Sequence, residues 1–208
     1  MRPVAAVAAL ALLAAGAGAQ PTLRVPARPP VPVLIDGRFA PGEWDDAARA
    51  AVGPLDTLLV KEHAGHLYLG VVTARAHPVY VDLFVRDGGG ALHNLHASMQ
   101  LGERRLAAGD TTWTDARPAT RWGNEVDWTA NESKLRPDRP RAPGAPLDTS
   151  HLFPQRGREF QIRRARFPGA RWRVRVELRD LAGREPDLVV PAGSTRRDPD
   201  GWLTLALP

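Results

Sequence analysis

The stretch Arg171 to Arg179 reads Arg-Trp-Arg-Val-Arg-Val-Glu-Leu-Arg, a strict alternation of charged and apolar residues. On a strand of period two, Arg171, Arg173, Arg175, Glu177 and Arg179 share one side and Trp172, Val174, Val176 and Leu178 share the other. Guanidinium forks match carboxylate, sulfate and phosphate bidentately, so the charged side predicts contacts to an acidic ligand, centred on Arg173 and Arg175. The same alternation describes the solvated outer face of an open antiparallel sheet, and the residues alone leave both readings open.

Other chemistry-bearing residues point to less. His63 with His66, and His93 with His96, are His-x-x-His pairs. Positions three apart on a strand face opposite ways, so neither pair predicts a transition-metal site. Asp36, Asp45 and Asp87 leave a structural calcium ion open. The crowded carboxylates Asp45-Asp46 and Glu125 with Asp127 lack a nucleophile, base and orienter in any spacing that places them together. Gly88-Gly89-Gly90 reads as a hairpin turn, since no helix follows to complete a phosphate cradle. The chain is therefore expected not to be an enzyme.

The chain opens with Arg2, an Ala/Leu/Val run to Leu13 and Ala17-Gly18-Ala19 before Gln20. These are the three regions of a secretory signal peptide over residues 1–19, and the apolar run is too short to cross a bilayer. Export to the periplasm or the extracellular space is expected, with no transmembrane segment. The chain contains no cysteine, which excludes disulfides, thiolate metal sites and cysteine nucleophiles. A net charge of +5 permits nucleic acid as a partner, but export makes it the weakest expectation, and no nucleic acid is predicted.

Residues 20–32 carry five prolines and read as an extended leader, and residues 33–208 as one domain. Asp36-Gly37 is a turn signal, and Pro41 to Ala48 predicts one or two helical turns with Trp44 packed under the sheet. Leu55 to Glu62 and Leu67 to Thr73 predict a hairpin through His63-Ala64-Gly65-His66. Val79 to Arg86 and Leu92 to Leu101 follow as strands, with His93, Leu95, Ala97 and Met99 inward and Asn94, His96, Ser98 and Gln100 outward. Glu159 to Phe167 and Arg171 to Arg179 predict a second hairpin, and Trp202 to Leu207 a last strand. Many short strands with turn signals and almost no helix predict an all-β antiparallel sandwich, jelly-roll-like, with a long loop insertion at residues 102–157. The insertion holds Trp113, Trp122 and Trp128.

Ile35-Asp36-Gly37 followed by Glu43-Trp44, then Leu67-Tyr68-Leu69, Val81-Asp82-Leu83-Phe84, Arg197-Asp198-Pro199 and Leu203-Thr204-Leu205, occur in an order that resembles carbohydrate-binding module family 9 and the wider DOMON-like sandwiches. The resemblance implies a non-catalytic domain that holds a sugar between two tryptophans above polar side chains. It places Asp82 and Glu177 at the family's acidic and amide positions, and the polar pair at His96 and Ser98, or one register away at Asn94 and His96. The two clamp tryptophans fall at Ala76 or His77 and at Arg196, so the aromatic clamp is absent. Arg196 then joins Arg173 and Arg175 as an anionic contact, and the expected ligand becomes a carbohydrate or acidic glycan. Trp122 or Trp128 either folds over the sheet in place of the clamp or packs in a satellite core beneath the insertion. No cofactor is expected, although some DOMON-like members bind haem, and Met99 with a histidine supplies the alternative of an axial pair in an electron-transfer protein. A structural partner domain in an envelope complex is the third expectation.

Overall fold

A computed structural model describes residues 11–12, 22–26, 31–54, 56–74, 79–115, 127–140, 142–144, 149–153, 155–180 and 186–208. The described residues form two sheets packed face to face, joined by turns and three short 3₁₀ segments and without an α-helix. The first sheet has the order β1 (Ala11–Leu12), β3 (Ala48–Ala51), β4 (Asp56–His63), β5 (His66–Thr73), β11 (Gly157–Arg163), β10 (Trp128–Ala130). The second runs β2 (Thr22–Arg24), β14 (Leu203–Ala206), β12 (Arg171–Asp180), β6 (Val79–Arg86), β7 (Leu92–Ala97), β8 (Leu101–Leu106), β9 (Thr114–Asp115), with β13 (Leu188–Val190) also against β12. All pairings are antiparallel except β1 with β3 and β2 with β14. The expected all-β sandwich is the fold. No helix among the described residues is long and apolar enough to cross a membrane.

Alternation decides which side chains meet between the sheets. Leu58, Val60, Leu67, Leu69, Val81, Leu83, Val85, Leu95, Trp172, Val174, Val176 and Leu178 are all buried in one core cluster. Each large aliphatic or aromatic side chain so buried contributes roughly 1.5–3 kcal/mol. The β4–β5 hairpin closes through two residues, Ala64 at φ 48° and Gly65 at φ 76°, the backbone twist that suits a two-residue hairpin. Gly157 admits no side chain, because a Cβ there would stand 1.8 Å from the Val71 carbonyl oxygen on the paired strand.

Four expectations change. The second hairpin is not one, because β11 pairs with β5 in the first sheet whereas β12 pairs with β6 in the second. The 3₁₀ turn at Arg164–Arg166 carries the chain across the sandwich, anchored by Phe167 and Trp172, whose indole donates to the Phe167 carbonyl at 3.0 Å. The expected helical turns at residues 41–48 are hydrogen-bonded turns running directly into β3, although Trp44 packs as expected, with Leu59 and Tyr68 on the outer face of the first sheet. The strand from Leu92 ends at Ala97, so Met99 lies in a hairpin turn and not in the core. Finally, the insertion supplies β8, β9 and β10. Its strands escape a period-two reading because β8, Leu-Gly-Glu-Arg-Arg-Leu, turns the charged Glu103 inward.

Glu103 is buried because it ties the sandwich together at one edge. Its carboxylate accepts from Trp128 Nε1 at 3.1 Å and from Arg166 Nη2 at 2.8 Å, and lies 3.0 Å from His93 Nδ1. Burial pushes its pKa up, but contacts from His93, Arg166 and Trp128 outweigh that and hold it below the ordinary carboxylate value. The other nitrogen of His93 lies 3.3 Å from Asp87 Oδ2, so both ring nitrogens are engaged inside the core. His93 and His96 thus face opposite ways, as strand geometry requires.

Candidate functional site

The outer face of the second sheet is built in rows by strand register. Glu177, Asp82, His96 and Gly102 lie opposite one another across β12, β6, β7 and β8. On one side of that row Arg179 faces Tyr80, and on the other Arg175, Phe84, Asn94 and Arg104 form the next row. Gly102 contributes no side chain where its neighbours do. An open depression of about 460 Å³ results, lined by Tyr80, Asp82, Asn94, His96, Ser98, Arg104, Arg179 and Arg196.

Asp82, His96, Ser98 and Arg196 therefore come together as the resemblance implies. A hydrogen-bond chain fixes three of them. His96 Nδ1 lies 2.9 Å from Asp82 Oδ1, and His96 Nε2 lies 3.0 Å from Ser98 Oγ. The Tyr80 ring lies 5.5 Å from the His96 ring. Asn94 Oδ1 is buried and accepts no hydrogen bond among the described residues, an unmet acceptor at the depression.

Glu177 and Arg175 occupy another layer. They are 3% and 4% exposed, beneath the segment from Pro191 to Trp202. Arg175 donates to the Ser194 carbonyl and hydroxyl and to Glu177, while its guanidinium stacks 5.2 Å from the Phe84 ring. Glu177 accepts from three arginines: Arg175, Arg179 Nη2 at 2.8 Å, and Arg196, whose Nε and Nη2 reach it at 2.7 and 2.5 Å. Burial raises the Glu177 pKa, yet the bonds from Arg196, Arg175 and Arg179 overcome it and hold the carboxyl at about 2. The same bonds raise Arg179 and Arg196 above the ordinary guanidinium value. Arg175 and Glu177, expected to touch a ligand, are instead almost wholly buried and bonded to each other within a salt-bridge cluster. They position Arg179 and Arg196, which do line the depression.

Compared with family models, with curated proteins and with solved structures, the chain gives no match.

Arg173 lies apart from the depression, its guanidinium bonded to Asp200 and to the Pro199 carbonyl. Between the two regions stands an apolar island, Phe84 with Leu92, Leu106 and Trp202. The Trp113 and Trp202 rings approach Phe84 edge-on at 6.0 and 6.1 Å. Trp128 is 2% exposed and stacks on Phe160 between the sheets, so it belongs to the core and the proposed lid role is corrected for it. Trp122 lies outside the described residues, as do Ala76, His77 and Glu125. Asp36 and Asp87 each bind amides of their own turn, and no three His, Asp or Glu among the described residues converge as a metal site would need.

Tyr80, Asn94, Arg104 and Arg179 also line the site. Asn94 is the alternative partner of His96 that the resemblance placed here, and parity along β6 sets Tyr80 on the same face as Asp82. Arg104 has no such signal, because β8 does not alternate.

Proposed function

We propose that the chain is a non-catalytic carbohydrate-binding domain whose ligand lies in the Asp82–His96 depression. The observation that carries this reading is the convergence there of Asp82, His96, Ser98 and Arg196, four residues expected from widely separated parts of the chain. Sugar hydroxyls suit a wall that offers both acceptors and donors. Tyr80 supplies an aromatic surface in place of the absent clamp. Arg104, Arg179 and Arg196 line it beside Asp82, and although Glu177 holds Arg179 and Arg196 from beneath, guanidinium donors on the wall suit a uronate or another acidic sugar. The leader over residues 1–19 supports export, and its cleavage before Gln20 would remove only the two-residue edge strand β1 from the first sheet.

A glycan array with paired neutral and acidic ligands tests the reading. Asp82→Ala and His96→Ala are each expected to weaken the acidic ligand by ~10-fold or more, about 1.4 kcal/mol. Tyr80→Ala is expected to weaken all ligands alike. Unchanged binding in Asp82→Ala and His96→Ala would remove the site.

One observation favours a second reading. Asp82, His96 and Ser98 stand in the orienter, base and nucleophile order of a hydrolase triad. Against it, the Ser98 hydroxyl is shared with its own turn, donating to the Gln100 carbonyl at 3.2 Å and accepting from the Gln100 amide at 3.3 Å. A serine-directed fluorophosphonate probe decides between them. The binding reading expects no labelling, and labelling abolished by Ser98→Ala or His96→Ala would establish the hydrolase.

A further inference from the structure

On the far side of the Phe84 island lies a second depression of about 530 Å³, lined by Thr22, Arg86, Arg171, Arg173, Thr204 and the turn Asp87 to Gly90. We propose that it is a binding site for a tetrahedral oxyanion, a sulfate or phosphate group carried as an ester. This site is separate from the Asp82–His96 depression and does not depend on what that depression binds.

Register builds it. Arg86 on β6 stands directly opposite Arg173 on β12, Arg173 stands opposite Thr204 on β14, and Thr204 stands opposite Thr22 on β2. Arg171 lies two residues from Arg173 and so shares its side of the sheet. Like charges directly opposite each other on paired strands are destabilising, and neighbouring carboxylates ordinarily relieve them. Here the relief is partial. Asp200 bonds Arg173. Asp87 is the carboxylate nearest in sequence to Arg86, but its oxygens accept from the Gly89 and Ala91 amides at 2.9 and 3.0 Å and lie 3.3 Å from His93. The side chains of Arg86 and Arg171 make no hydrogen bond or ion pair among the described residues.

The geometry selects the ligand class. A carboxylate's acceptor sites lie in the single plane of its two oxygens, whereas the oxygens of a tetrahedral oxyanion diverge in three dimensions. Here Arg86, Arg171 and Arg173 from two strands line one space with Thr22 and Thr204, Arg173 being shared with Asp200, and donors drawn from three paired strands and β2 suit an anion with three or four divergent oxygens. An ester oxygen would point outward through the open side, leaving the remaining oxygens for the arginines. The bound anion supplies the missing counter-charge for Arg86 and Arg171, so its binding stabilises the fold.

Thermal unfolding and calorimetric titration with sodium sulfate and sodium phosphate test this, with chloride and acetate at matched ionic strength as references. Sulfate and phosphate are expected to bind and to raise Tm above both references, and the tighter of the two identifies the ester. The double variant R86A/R171A is expected to weaken that binding ~10-fold or more. R171E, which alters only an exposed side chain at the start of β12, is expected to do the same and guards against a folding defect in the double variant. D82A should leave the response intact. Three results would each overturn the proposal: equal shifts from all four anions, a sulfate shift and titration signal in R171E as large as in the wild type, or loss of the response in D82A. The general stabilising action of sulfate on proteins would survive in every variant and so is told apart from binding.

Discussion

Replacing Glu177 with alanine is expected to destabilise the fold by about 3–5 kcal/mol, read as a lower urea midpoint at neutral pH. The cost arises from what remains. Arg175 is 4% exposed, keeps its bonds to Ser194, and loses the one carboxylate it binds among the described residues. Arg179 and Arg196 lose the same partner, and three like charges then crowd one patch of sheet. Glu177→Gln, which keeps the shape but not the charge, should fall between wild type and alanine. The pH dependence gives an independent check. The carboxyl titrates at about 2 folded against an ordinary 4.5, so the unfolded chain takes up the proton first as the pH falls. Stability from this group is fully present above pH 4.5 and is lost between about 4.5 and 2, roughly 3 kcal/mol in all. That acid-side slope should be absent in Glu177→Gln. Binding should also suffer, because Arg179 and Arg196 lose the anchor that aims them into the depression. A loss below about 1 kcal/mol in the alanine variant would show that the cluster is no more than a surface ion pair.

The opposite slope is expected from Glu159. This side chain has no solvent exposure, and it accepts from the Asp36 and Gly37 amides at 3.0 and 2.6 Å and from Trp44 Nε1 at 3.1 Å. Burial lifts its pKa from 4.5 to about 7, and these three donors only partly offset that. A folded pKa above the unfolded one means that the native state holds its proton longer as the pH rises. Stability is complete below about pH 4.5 and declines by roughly 3 kcal/mol on the way to pH 7. Glu159→Gln should flatten this decline. Below pH 4.5 the variant should be the less stable protein, because its amide group must turn toward a donor that the carboxyl oxygens accept from, about 1–3 kcal/mol for the unmet group. Near pH 7 the two proteins should converge. Urea midpoints across pH 4 to 8 measure both, and parallel curves for variant and wild type would refute the assignment.

The two glutamates show how far pattern reading reaches. Glu177 is visible in the alternation of β12, and its face was correctly assigned from parity alone. Its burial was not visible, because the segment that covers it, Pro191 to Trp202, has no periodicity that would announce its return over β12. Glu159 carries no sequence signal at all. It lies in a strand of the first sheet and acts on a turn more than a hundred residues earlier in the chain. Trp128 teaches the same lesson in reverse. A tryptophan in a long patternless stretch could cover a face or enter a core, and its indole N–H finds Glu103 only once β8 and β10 are placed at facing edges of the two sheets.

The sequence by itself determined the class of fold, the strands β4, β5, β6, β7 and β12, and the faces of Asp82, His96 and Glu177. Period two and turn chemistry are local properties, and they survive whatever the rest of the chain does. Only the tertiary structure decided that β11 and β12 part company, that Arg175 and Glu177 are closed over, and that the basic wall divides into two depressions around Phe84. Those outcomes depend on which strands become neighbours and which segment folds across them. Strand register then converts residues distant in sequence into a single surface.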